Sequence, residues 1–402
     1  MKNCLALIII CCLLTVCINV ENENEEDIEI IKDGRITIKD NEFFVNGKRI
    51  WINGANTPWN KWNEFGSNHN VNYYDDTWWD NHFAELREAG VNAIRVWINC
   101  NNGSGAIIID ADGLITGVTE KHWSDLDLFF KTAERNQMYI MATLLSFDHF
   151  QNTGFRPAAE RWRNMLKSDE ASMSFVTNYT IPFVERYKDN PWLWSIDICN
   201  EPDWVYENPE CGQIPWDRIS YFMAINAAAI HENSKILVTV GLSSSKYNVD
   251  GSGYEGNKVS DSYLQSLYPN PNAYLDFWSP HYYTWVGEWF GVPFYVKPYG
   301  SRQGNSSSGY YGGWGLDNSK PAIIAEFSAT GTNNTDRQYI RTQERPEQNN
   351  IISDFENAYL NGWQGVMPWT SNGVDSNGDL NDMKPATNYM WKKYGDIIFP
   401  HL

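Results

Sequence analysis

Two glutamates stand at the ends of mostly apolar runs and are the residues of this chain best suited to chemistry. Glu201 comes just after the run 192–199, and Glu326 directly follows the run 321–325. Such runs are typical of strands buried on both faces, as in parallel sheets. An ionisable side chain at the mouth of such a strand costs free energy unless it has partners or a function. Two carboxyls so placed are the minimum equipment for hydrolysing a glycosidic bond.

The pair suits hydrolysis with retention of configuration at the anomeric carbon. In that reaction one carboxyl protonates the leaving oxygen and the other attacks the anomeric carbon, at a separation of about 5–5.5 Å. Glu201 and Glu326 would end strands four and seven, on opposite sides of a narrow barrel mouth, where this separation is feasible. The alternative is that either is an ordinary surface glutamate, which the apolar runs before them disfavour.

Other predicted strand ends would supply groups that such a pair needs. Arg95 would place a permanent cation near the cleft and keep a nucleophilic carboxylate ionised, with a structural ion pair as its alternative role. Asn200 would hydrogen-bond a sugar 2-hydroxyl, a contact that strengthens in the transition state. His281 and Tyr283 end the sixth predicted strand, where the Tyr hydroxyl would orient the nucleophile. Trp369 ends the eighth, where its ring would form the floor of the subsite whose bond is cut.

Eight apolar segments alternate with helical patterns and would carry these residues. The predicted strands cover 50–55, 92–99, 138–145, 192–198, 235–241, 274–281, 322–326 and 363–369. The predicted helices cover about 76–89, 120–136, 158–188, 216–232, 260–268, 345–361 and 383–394. This alternation predicts an α/β fold, a parallel, right-handed (β/α)8 TIM barrel. Catalytic groups of such barrels lie at the C-terminal ends of the strands.

The mature chain is predicted to be a single catalytic domain that covers 34–402. Residues 1–20 contain Lys2 and an apolar run, the pattern of a secretory signal peptide, and 21–33 form a disordered acidic start. A small hairpin arrangement with a tight turn at Asn46–Gly47 precedes the first barrel strand. Long segments follow several strands, so we expect long loops and a cleft at the C-terminal face of the barrel.

Composition narrows the class of partner. The net charge of −19 would repel phosphate backbones and argues against nucleic acid. Aromatic residues make up 15% of the chain, which has 19 Trp, and aromatic faces suit the apolar faces of sugar rings. The candidates for stacking, each with a place in the core as its alternative, are Trp59, Trp62, Trp97, Trp204, Trp285 and Trp289. His149 is a further candidate for substrate contact, with a surface or supporting role as the alternative.

We expect no metal and no cofactor. The chain has no His and Cys cluster that suggests a catalytic zinc, and no Gly-rich phosphate loop before a helix. The segment Asp375–Asp379 has the pattern of the first half of a calcium loop, but Ala386 occupies the position of the closing Glu. Asn-Gly and Gly-Asp pairs also form ordinary turns, and we favour a turn in the loop after strand eight.

The order of these residues along the chain resembles glycoside hydrolase family 5, whose members are retaining (β/α)8 glycosidases. The matching residues are Arg95, Asn200, Glu201, Pro202, His281, Tyr283, Glu326 and Trp369. The resemblance implies that Glu201 is the acid/base and Glu326 the nucleophile, whose like charge would raise the pKa of Glu201. Several segments look like the animal-type endo-β-1,4-mannanases, among them 52–59, 95–97, 112–117 and 281–285. Segments 145–149 and 286–320 depart from that group.

The resemblance implies a secreted, retaining endo-β-1,4-mannanase. Its expected partner is β-mannan or a related plant polysaccharide, and we expect a monomer without a membrane or nucleic-acid partner. A β-1,4-glucanase is the alternative within the family, because both sugars share the 1,4-linked backbone and the same catalysis. A non-catalytic polysaccharide-binding barrel is the alternative of another class, and a transglycosylase would use the same residues.

Overall fold

The computed structural model describes residues 34–67, 73–100, 106–153, 158–250, 255–283, 296–300, 312–331 and 351–400. A parallel sheet surrounded by helices forms its centre, so the predicted α/β class is confirmed. Within these ranges, no helix is both long and apolar enough to cross a membrane. The predicted segments 1–20 and 21–33, together with Trp285 and Trp289, lie outside the described residues.

A small antiparallel sheet precedes the barrel. It consists of β1 (Ile36–Lys39), β2 (Glu42–Val45) and β3 (Lys48–Ile50), paired in chain order. Its two turns lie at Asp40–Asn41 and Asn46–Gly47, and all four residues have positive φ, as a two-residue type I′ turn requires. The predicted hairpin arrangement and its turn at Asn46–Gly47 are confirmed.

Aromatic packing joins this small sheet to the bottom of the barrel. The ring of Phe43 lies 5.5 Å from that of Trp194 and 5.4 Å from that of Phe277. Ile36 and Ile50 are fully buried in the same cluster. Burying one such side chain contributes about 1.5–3 kcal/mol. Because Trp194 lies near the start of its strand, the small sheet fills the N-terminal end of the barrel.

Six parallel strands form most of the barrel wall. In spatial order they are β10 (Leu237–Thr239), β9 (Leu193–Asn200), β8 (Tyr139–Ser146), β5 (Ala93–Trp97), β4 (Ile52–Asn56) and β11 (Gly365–Val366). Every residue of β5, β8 and β9 is buried, in agreement with runs that lack polar alternation. These strands correspond to the predicted strands five, four, three, two, one and eight.

Isolated bridges take the place of the predicted strands six and seven and close the barrel. They pair Trp278 with Ala322, His281 with Glu326, Ile324 with Val366 and Ser328 with Trp369. The prediction of continuous strands at 274–281 and 322–326 was therefore wrong. Pro280 lies inside the sixth predicted strand and lacks an N–H, which removes one donor from the ladder there. The eight-segment order of the predicted barrel is nevertheless retained.

Helices surround the barrel wall. They are α1 (Asp76–Glu88), α2 (Glu120–Arg135), α3 (Ala159–Lys167), α4 (Asp169–Phe175), α5 (Ile181–Tyr187), α6 (Asp203–Glu207), α7 (Trp216–Asn233), α8 (Asp261–Leu267), α9 (Ile351–Leu360) and α10 (Leu380–Ile398). In α2, the apolar residues at helical spacing are buried, from Leu126 through Phe129 and Phe130 to Ala133. Thr119 begins this helix by accepting a hydrogen bond from the backbone N–H of His122.

The helical region predicted at 158–188 is divided into shorter elements. Ser168 ends α3 and also begins α4, because its side chain accepts a hydrogen bond from the N–H of Ala171. A π-helical turn at Val176–Thr180 then leads into α5. The single long helical pattern therefore folds as three α-helices joined by a cap and a π turn.

A second hairpin lies between β5 and α2, in one of the segments that were predicted to be long loops. It pairs β6 (Ile107–Ile109) with β7 (Ile115–Val118) in antiparallel register. The side chain of Asp110 closes its turn by accepting hydrogen bonds from the N–H groups of Asp112 and Leu114. Gly113 provides the positive φ that the turn needs.

Candidate active site

A cleft of about 540 Å³ opens at the C-terminal ends of the barrel strands. Its lining residues are Trp59, Trp62, Trp97, Phe147, Asp148, Asn200, Glu201, Trp204, Tyr283, Glu326, Trp369, Asp375 and Asn377. Arg95 and His281 are fully buried and contact the two glutamates of this cleft. The structure thus brings together the predicted site residues that it describes, with the exception of His149.

Glu201 and Glu326 face one another in the cleft. A carboxyl oxygen of each lies within 4.8 Å of the other, and 12% and 5% of their side chains are exposed. This spacing agrees with the roughly 5–5.5 Å of retaining glycosidases and is shorter than the roughly 6.5–9.5 Å of inverting ones. Glu201 has a φ of +48°, and its N–H donates to the carbonyl of Gly241 at 2.7 Å. This left-handed conformation of Glu201 costs roughly 1–3 kcal/mol. It directs the side chain into the cleft at the end of β9.

Both carboxyl oxygens of Glu326 accept hydrogen bonds. Nη1 of Arg95 donates to Oε1 at 2.5 Å, and the hydroxyl of Tyr283 donates to Oε2 at 2.9 Å. Burial raises the pKa of Glu326, and the nearby His281 and Arg95 act against that rise. A cation and a phenol donor favour the ionised form, so Glu326 is the better of the two places for a negative charge.

Arg95 connects the strands beneath the cleft. Its Nε and Nη2 lie 3.0 and 2.7 Å from Oδ2 of Asp197, and Nη2 also donates to Oδ1 of Asn200 at 2.7 Å. Nη1 lies 3.2 Å from Oδ1 of Asn56 in addition to its contact with Glu326. Arg95 therefore has both of the roles considered in the sequence analysis. It forms a structural ion pair with Asp197 and places a permanent positive charge beside Glu326.

Two nitrogen atoms lie within hydrogen-bond distance of the carboxyl group of Glu201. The indole Nε1 of Trp204 donates to Oε2 at 3.0 Å, and Nδ1 of His281 lies 2.8 Å from Oε1. Burial is the main cause that raises the pKa of Glu201 to about 7, with Arg95 and Trp204 lowering it. The direction agrees with the predicted rise, but burial and not the charge of Glu326 is its principal cause. A carboxyl with this pKa is about half protonated near pH 7 and carries its proton at lower pH.

His281 lies between the two carboxyls as a neutral imidazole. Burial lowers its pKa to about 4, and its Nδ1 is 3.4 Å from Oε2 of Glu326 as well as close to Glu201. Since Nδ1 faces two carboxyl oxygens, it is the nitrogen that carries the proton. A Cβ at Gly241 would lie 2.8 Å from both Nε2 of His281 and Nη2 of Arg95, so only glycine permits this approach.

Four tryptophans form an aromatic wall of the cleft. Trp59 lies edge-on to Trp62, Trp97 and Trp369, with ring centroids 4.6, 6.2 and 6.4 Å away. Trp97 and Trp369 are 5.1 Å apart, and the guanidinium of Arg95 lies 4.3 Å from the ring of Trp97. The predicted stacking role is compatible with the positions of Trp59 and Trp62, which line the open cleft and are partly exposed. Trp97 borders the cleft but is only 2% exposed, so it has the place in the core that was its alternative.

Sequence reasoning missed several polar residues of the site. Asp197 and Asn56 bind Arg95, and Asp148 and Asn377 line the cleft beside Phe147. An Asp in the middle of an apolar strand was a usable signal for Asp197, since a buried carboxylate requires a partner. The loop residues had no comparable signal.

His149 and the segment Asp375–Asp379 are the remaining candidates. His149 is fully buried, with its Nε2 3.0 Å from Nδ2 of Asn99, so it has the supporting position that was the alternative. Asp375 belongs to a closed turn in which Asn372 bridges to Asp379, and its side chain lines the cleft. The structure therefore has a turn at Asp375–Asp379, as the sequence analysis favoured over a calcium loop. Trp285 falls outside the described residues.

Comparisons with known proteins agree with the fold and with the resemblance. No protein-family model matches the chain. A mannan endo-1,4-β-mannosidase from Mytilus edulis is 24% identical over 386 residues, 90% of this chain and 95% of the relative. The crystal structure of an endo-1,4-β-mannanase from Eisenia fetida matches with a TM-score of 0.68 and 21% identity, covering 89% of this chain and 95% of that one. A β-1,4-mannanase from Aplysia kurodai matches with a TM-score of 0.69 and 20% identity, covering 90% and 97%.

These matches extend over nearly the whole length of both partners. The structural matches confirm the (β/α)8 barrel. The resemblance to animal-type β-mannanases of glycoside hydrolase family 5 is likewise confirmed, since both curated relatives and several structural neighbours are animal mannanases.

Proposed function

We propose that this chain, which is similar to animal-type β-mannanases, is a retaining endo-β-1,4-mannanase. The observation that supports it most is the pair of carboxyls within 4.8 Å of one another, each in a different electrostatic setting. Glu326 has the cation Arg95 and the donor Tyr283, whereas the pKa of Glu201 is raised to about 7. Two carboxyls in unlike environments are suited to the roles of nucleophile and acid.

In the first step, Glu326 attacks and Glu201 protonates. A carboxylate oxygen of Glu326 forms a bond to the anomeric carbon as the bond from that carbon to the glycosidic oxygen breaks. The proton of Glu201 moves to the leaving oxygen, so the leaving sugar departs as an alcohol and Glu201 becomes a carboxylate. Asn200, held by Arg95 at 2.7 Å, is placed to contact the sugar beside the pair.

In the second step, water replaces the enzyme on the sugar. Glu201 takes a proton from the water while the water oxygen bonds to the anomeric carbon. The ester bond to Glu326 breaks and returns the carboxylate to Arg95 and Tyr283. Two inversions give net retention, and Glu201 ends protonated for the next cycle.

The comparisons support the choice of substrate. The relatives and structural neighbours that match nearly the whole chain have names that specify mannan or mannanase. Within the aromatic wall, Trp59, Trp62 and Trp369 line the cleft and offer apolar surface to sugar rings. A polymer of β-1,4-linked mannose is the substrate that combines these observations.

Parallel assays on four polysaccharides test the function. Mannan, glucomannan, carboxymethylcellulose and mixed-linkage glucan would be incubated separately with the purified protein, and reducing ends measured. We expect release from mannan and glucomannan, with oligosaccharides of several lengths as early products. Release of reducing ends from carboxymethylcellulose alone would change the proposed substrate from mannan to glucan without affecting the proposed mechanism. Binding of mannan without release of reducing ends would indicate a non-catalytic barrel.

The pH dependence follows from the protonation of Glu201. The acid must hold its proton, so kcat/KM is expected to fall above about pH 7. Far above that pKa the fall is about tenfold per pH unit, because the protonated fraction decreases by that factor. At low pH the rate falls as Glu326 becomes protonated and ceases to be a nucleophile. Measuring kcat/KM on mannotetraose across pH checks both limbs, and undiminished activity about two units above the pKa contradicts the role of Glu201.

We also propose that the protein is secreted as a monomer whose catalytic domain covers 34–402. The apolar run of residues 1–20 supports removal on export, and it precedes the acidic segment 21–33. N-terminal sequencing of the protein collected from the medium of a secreting host should find a start near residue 21. A protein that stays in the cells with Lys2 present would contradict this proposal.

A further inference from the structure

Trp204 contacts the proposed acid directly. Its indole Nε1 lies 3.0 Å from Oε2 of Glu201, and its ring lines the cleft. An indole nitrogen has a proton to donate and no lone pair to accept with. The direction of this hydrogen bond is therefore certain in either protonation state of Glu201.

The backbone on both sides of Trp204 is held in place. Asp203, before it, is buried and accepts hydrogen bonds from both the N–H and the hydroxyl of Ser243. Val205, after it, is also buried, and its carbonyl accepts the N–H of Ile214. Trp204 lies in α6 between these anchors, so its indole is presented to Glu201 by a fixed backbone.

The two contacts of Glu201 together define the plane of its carboxyl group. Oε2 accepts from Trp204, and Oε1 lies 2.8 Å from Nδ1 of His281. Each carboxyl oxygen has two lone pairs, so the contact with the indole leaves a direction free for the proton that goes to the leaving oxygen. The indole does not titrate, which makes its contact constant through the catalytic cycle.

We propose that Trp204 is a positioning residue that orients Glu201 and stabilises its carboxylate form through the indole N–H. This inference rests on the proposed function, in which Glu201 alternates between acid and base. In the first step, the N–H holds the carboxyl toward the leaving oxygen. In the second step, it stabilises the carboxylate that accepts the proton of water, because a donor favours the charged form of an acid.

Several charged or titratable groups also act on Glu201. They come from six segments of the barrel end and are Arg95, Asp148, Asp197, Asp203, His281, Tyr283 and Glu326. Changing Trp204 to Phe alters none of these charges. A shift of the pKa of Glu201 in that variant therefore reports the loss of the indole N–H.

Trp204→Phe tests the proposal because it keeps an aromatic ring and removes the donor. The alkaline limb of kcat/KM on mannotetraose should move upward by about one pH unit, since a hydrogen bond to a charged group contributes on this scale. With a dinitrophenyl β-mannoside oligosaccharide, whose leaving group needs no proton, the first step should be spared. A burst of dinitrophenol should then appear, because the second step still depends on Glu201.

Trp62→Phe is the matched control, since it removes an indole N–H from the aromatic wall of the same cleft. Its alkaline limb should coincide with that of the wild type even if its KM differs. Should Trp204→Phe fail to fold, benzothienylalanine placed at position 204 keeps the ring shape and replaces the N–H by sulfur. It should give the same shift.

The outcomes separate this inference from the proposed function. If wild-type protein cleaves mannan and the alkaline limb of Trp204→Phe stays in place, Trp204 does not position the acid. If both Trp variants move the limb equally, the effect belongs to the cleft in general and the proposal is also wrong. If the wild type releases nothing from mannan, the proposed function itself fails.

Discussion

Glu326→Ala is expected to lower kcat on manno-oligosaccharides by a factor on the order of 10⁵ or more, as loss of other catalytic nucleophiles does. The variant removes the atom that bonds to the anomeric carbon and leaves Arg95 and Tyr283 facing a small cavity. The fold should survive, because Arg95 keeps its buried ion pair with Asp197. Initial rates and a circular dichroism spectrum, measured on the same preparation, check both statements.

Azide distinguishes the roles of the two glutamates. In Glu326→Ala, azide should enter the cavity and attack an activated mannoside directly, giving the α-mannosyl azide. In Glu201→Ala, azide should instead attack the glycosyl-enzyme and give the β-mannosyl azide. The opposite pattern of anomers would exchange the two assignments.

A surface glutamate provides the control for these variants. Glu185 has 47% of its side chain exposed and pairs with Lys188, so Glu185→Ala should retain wild-type turnover. If Glu326→Ala also kept near-wild-type hydrolysis, Glu326 could not be the nucleophile.

Arg95→Met is expected to lower the free energy of unfolding by about 3–5 kcal/mol, the usual cost of removing one partner of a buried ion pair. Arg95 is fully buried and donates to Asp197, Glu326, Asn200 and Asn56. Methionine leaves the Asp197 carboxylate buried without its cation. Urea unfolding followed by Trp fluorescence, compared with wild type, measures the difference.

The same variant should change the pH profile. Arg95 acts to lower the pKa of Glu326, so its loss should raise that pKa and move the acidic limb of kcat/KM to higher pH. The control is Arg186→Met, whose pair with Asp127 lies at the surface with 44% and 33% of the side chains exposed. That change should cost less than about 1 kcal/mol. Equal stability of Arg95→Met and Arg186→Met would contradict the role given to the buried network.

Much of the site was predictable because buried parallel strands have a simple signature. An apolar run that ends in a polar residue indicates a strand whose C-terminal end faces a site, and this rule located Glu201 and Glu326. Arg95 was recognisable instead as a charged residue inside an apolar run. Eight such runs in alternation with helices also specified the barrel. Their relative positions followed from topology alone, since the C-terminal ends of parallel strands meet at one face.

The parts that failed depend on local backbone chemistry and on contacts between distant loops. The sixth and seventh predicted strands are isolated bridges, and the missing N–H of Pro280 in the sixth was a signal that could have been used. The hairpin of β6 and β7 carried a turn signal at Asp112–Gly113 that was not used as one. Asp375 lines the cleft from a turn after the eighth strand, and no spacing rule predicts that position.

The hydrogen bond from Trp204 to Glu201 was also not predictable from the sequence, although the two residues are close along the chain. The two residues are three positions apart across the start of α6, and the sequence made Trp204 only a stacking candidate. The contact depends on the left-handed φ of Glu201 and on the anchoring of Asp203 by Ser243. Both are properties of the folded chain.

Proton NMR of mannohexaose during the first minutes of hydrolysis tests the central claim most directly. Retaining hydrolysis by Glu326 and Glu201 predicts that newly formed reducing ends appear first as the β anomer, with the α anomer growing later by mutarotation. Early accumulation of the α anomer would contradict the double displacement, and an unchanged spectrum would contradict the substrate.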